Sequence, residues 1–206
     1  NLKLLLNQIR FFDVKNVIIT DQENYLRAKK ILKKKKINIY NSFDKLKNIF
    51  RNQKIDYVMS SITGLNGLEP TINIIKFCKI IAIANKESII CAWDLIKKKL
   101  KKYNTQFVPV DSEHFSIWSL LSNNNFEEIK KIYITASGGP FFDYKISDFR
   151  KIKLKQALKH PNWSMGKKIT IDSSTMMNKV FEVIETNRIF DIGYNKISIL
   201  THKKSY

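Results

Sequence analysis

The chain has 206 residues, of which 44% are hydrophobic, 12% aromatic and 27% charged. That length covers one or two domains of ordinary size, and the composition excludes a disordered chain, a disulfide-built miniprotein and a collagen-like fibre. Thirty-seven Lys and Arg against 18 Asp and Glu give a net charge of +19, and no uncharged apolar run approaches the ~20 residues that cross a bilayer.

The charge has two readings. One is a polyanionic partner such as nucleic acid. The other is composition, because only five of the 37 basic residues are Arg, and Ile and Asn are abundant beside Lys, as AT-rich coding produces. Arg is the usual reader of grooves and phosphates, so its scarcity favours the second. The runs Lys33–Lys36 and Lys98–Lys102 fit solvated helix ends. Cys78 and Cys91 match no zinc or redox spacing, and both are expected as buried, reduced thiols. Residues 1–10 are too short and polar for a secretory signal. Without an initial Met, and ending just after an apolar run, the chain reads as an internal piece of a longer protein.

In chain order, Asn16–Thr20 is a β-branched run, and Asp21 caps a helical stretch to about Lys36. Ile37–Tyr40 is a second short run, and Ser42–Asn52 carries Phe43, Leu46, Ile49 and Phe50 at helical spacing. Tyr57–Ile62 reads as a strand, Thr63–Gly67 as a turn, and Pro70–Phe77 as a helix with Pro in its first turn. Lys79–Ala84 is an apolar strand, Lys86–Tyr103 a helix, and Gln106–Val110 a strand. Such alternation predicts an α/β fold, a parallel sheet with crossover helices whose ligands bind at the carboxyl ends of the strands. Past a soft boundary near Val110 the pattern changes. Ile129–Thr135 reads as a strand, Ser147–Leu158 and Asp172–Phe190 as helices, Lys196–Thr201 as a strand, and His160–Lys168 as a polar, aromatic loop.

Four clusters carry candidate chemistry. Asp111 and Glu113 follow a strand and can converge on one hard cation; alone, they are equally a solvated turn. In Asp172–Glu182, Asp172, Ser173 or Ser174 can cap a helix, whose free N–H groups suit a phosphate. Lys179 could hold that phosphate while Glu182 reaches a metal, with Met177, Phe181 and Ile184 as the apolar stripe. Ser137-Gly138-Gly139-Pro140 lets backbone approach a ligand or is a plain turn. The loop with His160, Trp163 and Met165 suits a lid, or a loop pinned by Trp163. Gly-x-Ser-x-Gly, Walker, Gly-x-Gly-x-x-Gly and zinc patterns are missing from the sequence.

ANKES (Ala84–Ser88), PVDSEH (Pro109–His114), ASGGPF (Ala136–Phe141), HPNWSMGKK (His160–Lys168) and DSSTMMNK followed by Glu182 together resemble the 1-deoxy-D-xylulose 5-phosphate reductoisomerase family. The resemblance implies a Rossmann-like NADPH-binding domain over residues 1–110, incomplete, followed by an α+β catalytic domain over residues 111–206, truncated. It implies NADPH-dependent isomerisation and reduction of the sugar phosphate to methylerythritol phosphate in non-mevalonate isoprenoid synthesis. By the same resemblance Asp111, Glu113 and Glu182 hold Mg²⁺ or Mn²⁺. Ser137, Ser173, Asn178 and Lys179 bind the phosphate, and Lys86, Ser112, His160 and Trp163 line the substrate. Asn1, Asn85, Glu87, Met165 and Gly166 meet NADPH. A homodimer in the bacterial cytoplasm, or in a plastid-type organelle of a eukaryote, is implied, without nucleic acid or membrane. The family's Gly-rich cofactor turn and C-terminal helical domain have no counterpart here, so the chain alone is expected to be inactive. Val180 and Phe181 stand where the family pattern suggests small residues, and Val180 is expected to tune packing near Lys179. The alternatives are a basic nucleic-acid-binding module and an inactive fragment.

Overall fold

The computed structural model describes residues 1–50, 53–121, 128–159 and 166–202. Asn1 caps α1 (Leu2–Phe11), its side chain accepting from the Leu4 amide at 3.2 Å. Asp21 caps α2 (Gln22–Ile31) in the same way at 2.8 Å. Between and after these helices, β1 (Asn16–Ile18) pairs in parallel with β2 (Asn38–Tyr40). Leu6, Ile9, Val17, Ile19, Ala28 and Leu32 close this first core. The second helix stops before the predicted Lys36, since four successive Lys within one turn repel one another.

After a 3₁₀ turn and α3 (Leu46–Phe50) come three parallel strands in the order β3 (Ile55–Ser60), β4 (Cys78–Ile83), β5 (Gln106–Pro109). The crossovers are α4 (Leu68–Ile74) and α5 (Lys86–Tyr103). Ile81 of the central strand pairs with Val58 on one side and Phe107 on the other. Its apolar run is buried on both faces, as that composition predicts. Ile75, Ile89, Trp93, Ile96 and Leu100 pack on it. The helix α5 has the predicted limits but is broken at Ala92 (φ −142°, ψ 27°). Ser88, Ile89, Trp93, Ile96 and Leu100 face inward, which leaves Cys91 exposed; of the two thiols only Cys78 is buried, contrary to expectation.

The second half departs further from the sequence pattern. Residues after β5 form α6 (Ser112–Leu121), a helix where only a polar cluster was expected. β6 (Ile132–Ala136) follows. The helix expected over 147–158 is instead a 3₁₀ segment (Ile146–Lys151) and α7 (Leu154–Ala157), separated by extended backbone at Ile152 and Lys153. The helix expected over 172–190 is two: α8 (Lys167–Ser174) and α9 (Met177–Phe190). The break falls where Ser174 and Thr175 hydroxyls bond back to the Ile171 carbonyl at 2.8 and 3.2 Å. Met176 beyond them takes a left-handed φ of 60°. β7 (Ile197–Thr201) pairs in parallel with β6. Ile134, Phe190, Ile192 and Ile197 form the third core, and Ile189 packs against both it and the β4-centred core. The last turn of α9 therefore joins the two halves of this mixed α/β fold. No helix among the described residues is long and apolar enough to cross a membrane.

Candidate active site

The carboxyl ends of β4, β5 and β6 lead into Asn85–Glu87, Asp111–His114 and Ser137–Gly139, and α9 lies across them. Lys179, Glu182, Glu185 and Thr186 are all buried and share one face of α9. Met177 and Val180 are each 43% exposed. The inward stripe of this helix is charged; of the expected apolar stripe Phe181 and Ile184 are half-buried and Met177 faces out. Val180 meets little of the interior, so its bulk does not crowd Lys179.

Ligand atoms of Asp111, Glu113 and Glu182 lie within 4.8 Å of one another, as do those of Asp111, His114 and Glu185. Lys179 Nζ donates to Glu113 at 2.7 Å and lies 2.5 Å from Glu182 Oε2. Glu182 Oε2, completely buried, has that ion pair but no hydrogen bond. Lys86 Nζ donates to Asp111 Oδ2 at 2.6 Å and to Glu185 Oε2 at 3.0 Å. His114, fully buried, has Nε2 3.0 Å from the Glu182 carbonyl and Nδ1 3.4 Å from Asp111 Oδ1.

Burial sets the electrostatics. It pushes the Glu182 carboxyl up to about 7; the charge on Glu113 adds to the effect and Lys179 opposes it. Burial also raises Glu185, against the pull of Lys86 and His114. Asp111 goes the other way: burial is outweighed by the His114 hydrogen bond and the Lys86 charge, holding the carboxyl well below its usual range. The His114 ring is raised, because its bond to Asp111 and the Glu185 charge outweigh burial. Four carboxylates thus face two ammonium groups and one imidazole.

A cleft of about 410 Å³ opens on this cluster, lined by Asp111, Glu113, Ser137, Ser173, Asn178 and Lys179 among others. Gly138 (φ +83°) and Gly139 (φ +70°) turn the chain out of β6. A Cβ on Gly139 would stand 2.8 Å from the Ser173 carbonyl, so only glycine lets the β6 loop approach the end of α8 this closely. Ser173 closes the last turn of α8 and caps no helix start, contrary to expectation. The start of α9, at Met176 and Asn178, supplies the cleft's helix N-terminus instead.

Of the predicted residues, Asp111, Ser112, Glu113, Ser137, Ser173, Asn178, Lys179 and Glu182 all line this one cleft, and Lys86 reaches Asp111 from behind it. Asn85 caps α5 and is 3% exposed. It donates to the Ile62 and Gly64 carbonyls at 2.6 and 2.9 Å and accepts from Ser88, so its side chain is taken up in holding the loop after β3. Glu87 pairs with Lys168 at 3.0 Å, and Lys168 with Asp172 at 2.7 Å, tying α5 to α8. Gly166 stands immediately before α8. Asn1 caps α1 and is not among the residues lining the cleft. His160, Trp163 and Met165 lie outside the described residues. Sequence reasoning missed Glu185 and gave His114 no role. The available signal was the spacing Glu182-x-x-Glu185, two acids one turn apart in a chain poor in acids.

Comparison with known proteins gives concordant results. The model of the 1-deoxy-D-xylulose 5-phosphate reductoisomerase family matches residues 1–93, and that of the same enzyme's C-terminal domain matches residues 107–190. The reductoisomerase of Pelagibacter ubique is 62% identical over 207 residues, covering 100% of this chain and 53% of the relative. That of Phocaeicola vulgatus is 45% identical, covering 98% and 52%. A crystal structure of the reductoisomerase with NADPH, fosmidomycin and magnesium superposes with a TM-score of 0.86 at 34% identity, covering 98% of this chain and 52% of that one. The Zymomonas mobilis enzyme with NADPH does so at 0.87 and 33%, covering 100% and 52%. The chain spans about half the length of the curated relatives it matches. Both halves of its sequence, its parallel-sheet fold and the residues gathered at its cleft agree: the chain belongs to the 1-deoxy-D-xylulose 5-phosphate reductoisomerase family.

Proposed function

We propose that this chain carries the metal- and phosphate-binding part of a reductoisomerase that converts 1-deoxy-D-xylulose 5-phosphate to 2-C-methyl-D-erythritol 4-phosphate with NADPH. The convergence of Asp111, Glu113 and Glu182 beside Lys179, at one end of a cleft that also presents Ser137, Ser173 and Asn178, carries the reading. Four carboxylates face two ammonium groups and one imidazole there, an excess of oxygen acceptors that suits a divalent cation. The buried Glu182 Oε2, without a hydrogen bond, fits a metal ligand. Mg²⁺ or Mn²⁺ held there supplies Lewis-acid polarisation of the substrate's adjacent oxygens.

The chain's own residues do the positioning. Lys179, Asn178, Ser137 and Ser173 receive the phosphate at the start of α9, where free backbone N–H groups add to the ammonium. Ser112 stands along the substrate beside the metal carboxylates, and Lys86 backs that edge through Asp111. For NADPH, the reading rests on the carboxyl ends of the parallel strands β3, β4 and β5, where ligands of open α/β sheets bind. Asn85 serves it by fixing the loop after β3, and Glu87 and Gly166 by closing α8 toward α5. In this reading residues 1–110 belong to the cofactor-binding domain and 111–206 to the catalytic domain. The whole protein is a homodimer of the bacterial cytoplasm, and this chain by itself is inactive. The +19 charge is compositional, since the cleft is acidic at its centre.

The test is NADPH oxidation on addition of deoxyxylulose phosphate and Mn²⁺. It is run with the chain alone and with a chimera in which it replaces the matching segment of the Pelagibacter relative. Turnover by the chimera that is abolished by chelator or by Asp111→Asn supports the assignment. A folded chimera that binds Mn²⁺ but turns over nothing counts against it.

A further inference from the structure

Glu185 is 1% exposed, one turn along α9 from Glu182, and outside the residues that line the cleft. Its Oε2 accepts from Lys86 at 3.0 Å, across 99 residues of sequence. The same ammonium donates to Asp111 Oδ2 at 2.6 Å. Lys86 is the first residue of α5 and Glu185 lies in α9, so the bond spans the contact between those helices. Asp111 in turn is the carboxylate shared by both candidate cation groups.

The second of those groups, Asp111 with His114 and Glu185, has the ligand types of a metal site, but its hydrogen bonding argues otherwise. Lys86 already stands between its two carboxylates. Both His114 nitrogens face acceptors, the Glu182 carbonyl and Asp111 Oδ1. Nε2 therefore donates to that carbonyl, and the ring is fully buried against Asp111. Of the three residues only Asp111 reaches the cleft.

The geometry points to Glu185 as a positioning residue that acts through Lys86. It draws the ammonium against Asp111 and so fixes the orientation in which that carboxylate faces the cleft; it holds no metal itself. This rests on the assignment of Asp111, Glu113 and Glu182 as the metal carboxylates. Groups that orient a ligand from behind commonly change metal affinity by tenfold or more.

Mn²⁺ titration followed by electron paramagnetic resonance tests it in four proteins: unsubstituted, Glu185→Gln, Lys86→Met and the double variant. Glu185→Gln is expected to weaken Mn²⁺ about tenfold when Lys86 is present and to have no further effect in the Lys86→Met background. Losses that multiply in the double variant overturn the proposal, because Glu185 then acts on the cation directly. No loss in Glu185→Gln overturns it equally. Glu185→Asp, which keeps the charge, is read in the same two backgrounds should the Gln variant not fold. The ¹H–¹⁵N signal of the Lys86 ammonium gives a readout independent of metal: it is expected to be resolved in the unsubstituted protein and lost to exchange in Glu185→Gln. Failure of the unsubstituted protein to bind Mn²⁺ overturns the functional assignment itself, while the ammonium signal still reports on the pair.

Discussion

Lys179 and Glu113, 66 residues apart in sequence, form an ion pair of 2.7 Å. The same ammonium lies 2.5 Å from Glu182, so a cation of the protein's own already bridges two of the three carboxylates assigned to the metal. Under the proposed assignment, Glu113 and Glu182 would hold the metal in competition with the Lys179 ammonium, which would then be available to a phosphate. Lys179→Met is therefore expected to act in opposite directions on two ligands. Mn²⁺ affinity rises at least about fivefold, because one unit charge removed at contact distance is worth about 1–4 kcal/mol between water and a polar interior, while inorganic phosphate binding is lost. Calorimetric titration of each ligand measures both. A fall in Mn²⁺ affinity would show that Lys179 supports the metal group instead of competing for it.

The buried carboxyl of Glu182 predicts a pH dependence. Its pKa is raised from an ordinary 4.5 to about 7, chiefly by burial. The folded chain holds this proton more tightly than the unfolded chain does. The resulting stabilisation is complete below 4.5 and is lost as pH rises through about 7. Glu182→Gln removes the titration while keeping an oxygen for the Asn178 side-chain amide. It is expected to raise the unfolding free energy of the metal-free chain by about 2–3 kcal/mol at pH 8, and by little at pH 4. Urea unfolding at the two pH values reads the difference. The same variant loses Mn²⁺ binding, and unsubstituted protein binds Mn²⁺ more weakly at pH 6 than at pH 8, since the metal must displace the proton.

How much of this was legible beforehand follows from local chemistry. The strand ends were readable because Ile80–Ala84 is apolar throughout and polar residues follow it at once. The cation carboxylates were readable because acids are scarce and Asp111 and Glu113 sit at such an end. The inward face of α9 was legible only in part: Lys179 and Glu182 were placed at the site, and the burial of Glu185 beside them was not foreseen. Periodicity assigns the apolar positions to the core, but here the core at that point is a charge cluster that accepts Lys179, Glu182 and Glu185. The break at Met176 was equally hidden, because Ser174 and Thr175 end α8 through side-chain bonds to its own backbone and not through Gly or Pro. Glu185 escaped notice because its partner Lys86 is brought near only by the packing of α5 on α9.

Asn85 makes a prediction that separates shape from hydrogen bonding. Its amide nitrogen donates to two backbone carbonyls, at Ile62 and Gly64, and lies 3.3 Å from Glu87. Asn85→Ala leaves those carbonyls without a donor and uncaps α5, at a cost of about 2–3 kcal/mol. Asn85→Asp keeps the cap but turns an anionic oxygen toward three acceptors. The Asp variant is therefore expected to be the less stable of the two, although it is closer in shape. In chemical denaturation, a loss in Asn85→Ala alone, with Asn85→Asp as stable as the unsubstituted chain, would mean that capping alone is what Asn85 provides.

Two glycines with nearly the same backbone angle provide a controlled comparison. Gly64 has φ +71° and would meet nothing within 4 Å if given a Cβ, whereas Gly139, at φ +70°, would place one 2.8 Å from the Ser173 carbonyl. Gly64 has ψ −169°, a region at positive φ that is essentially confined to glycine, so Gly64→Ala is expected to lose about 1–3 kcal/mol and leave anion binding unchanged. Gly139→Ala carries positive-φ strain together with a backbone collision that only movement of α8 from the β6 loop relieves. Its loss of stability should exceed that of Gly64→Ala by at least ~1 kcal/mol. Because Ser137 and Ser173 stand on the two segments forced apart, phosphate binding should weaken in this variant alone. Thermal unfolding and phosphate titration on the pair measure both effects. Equal behaviour of the two variants would place the cost wholly in the φ angle and leave the close approach of β6 to α8 without a part in shaping the cleft.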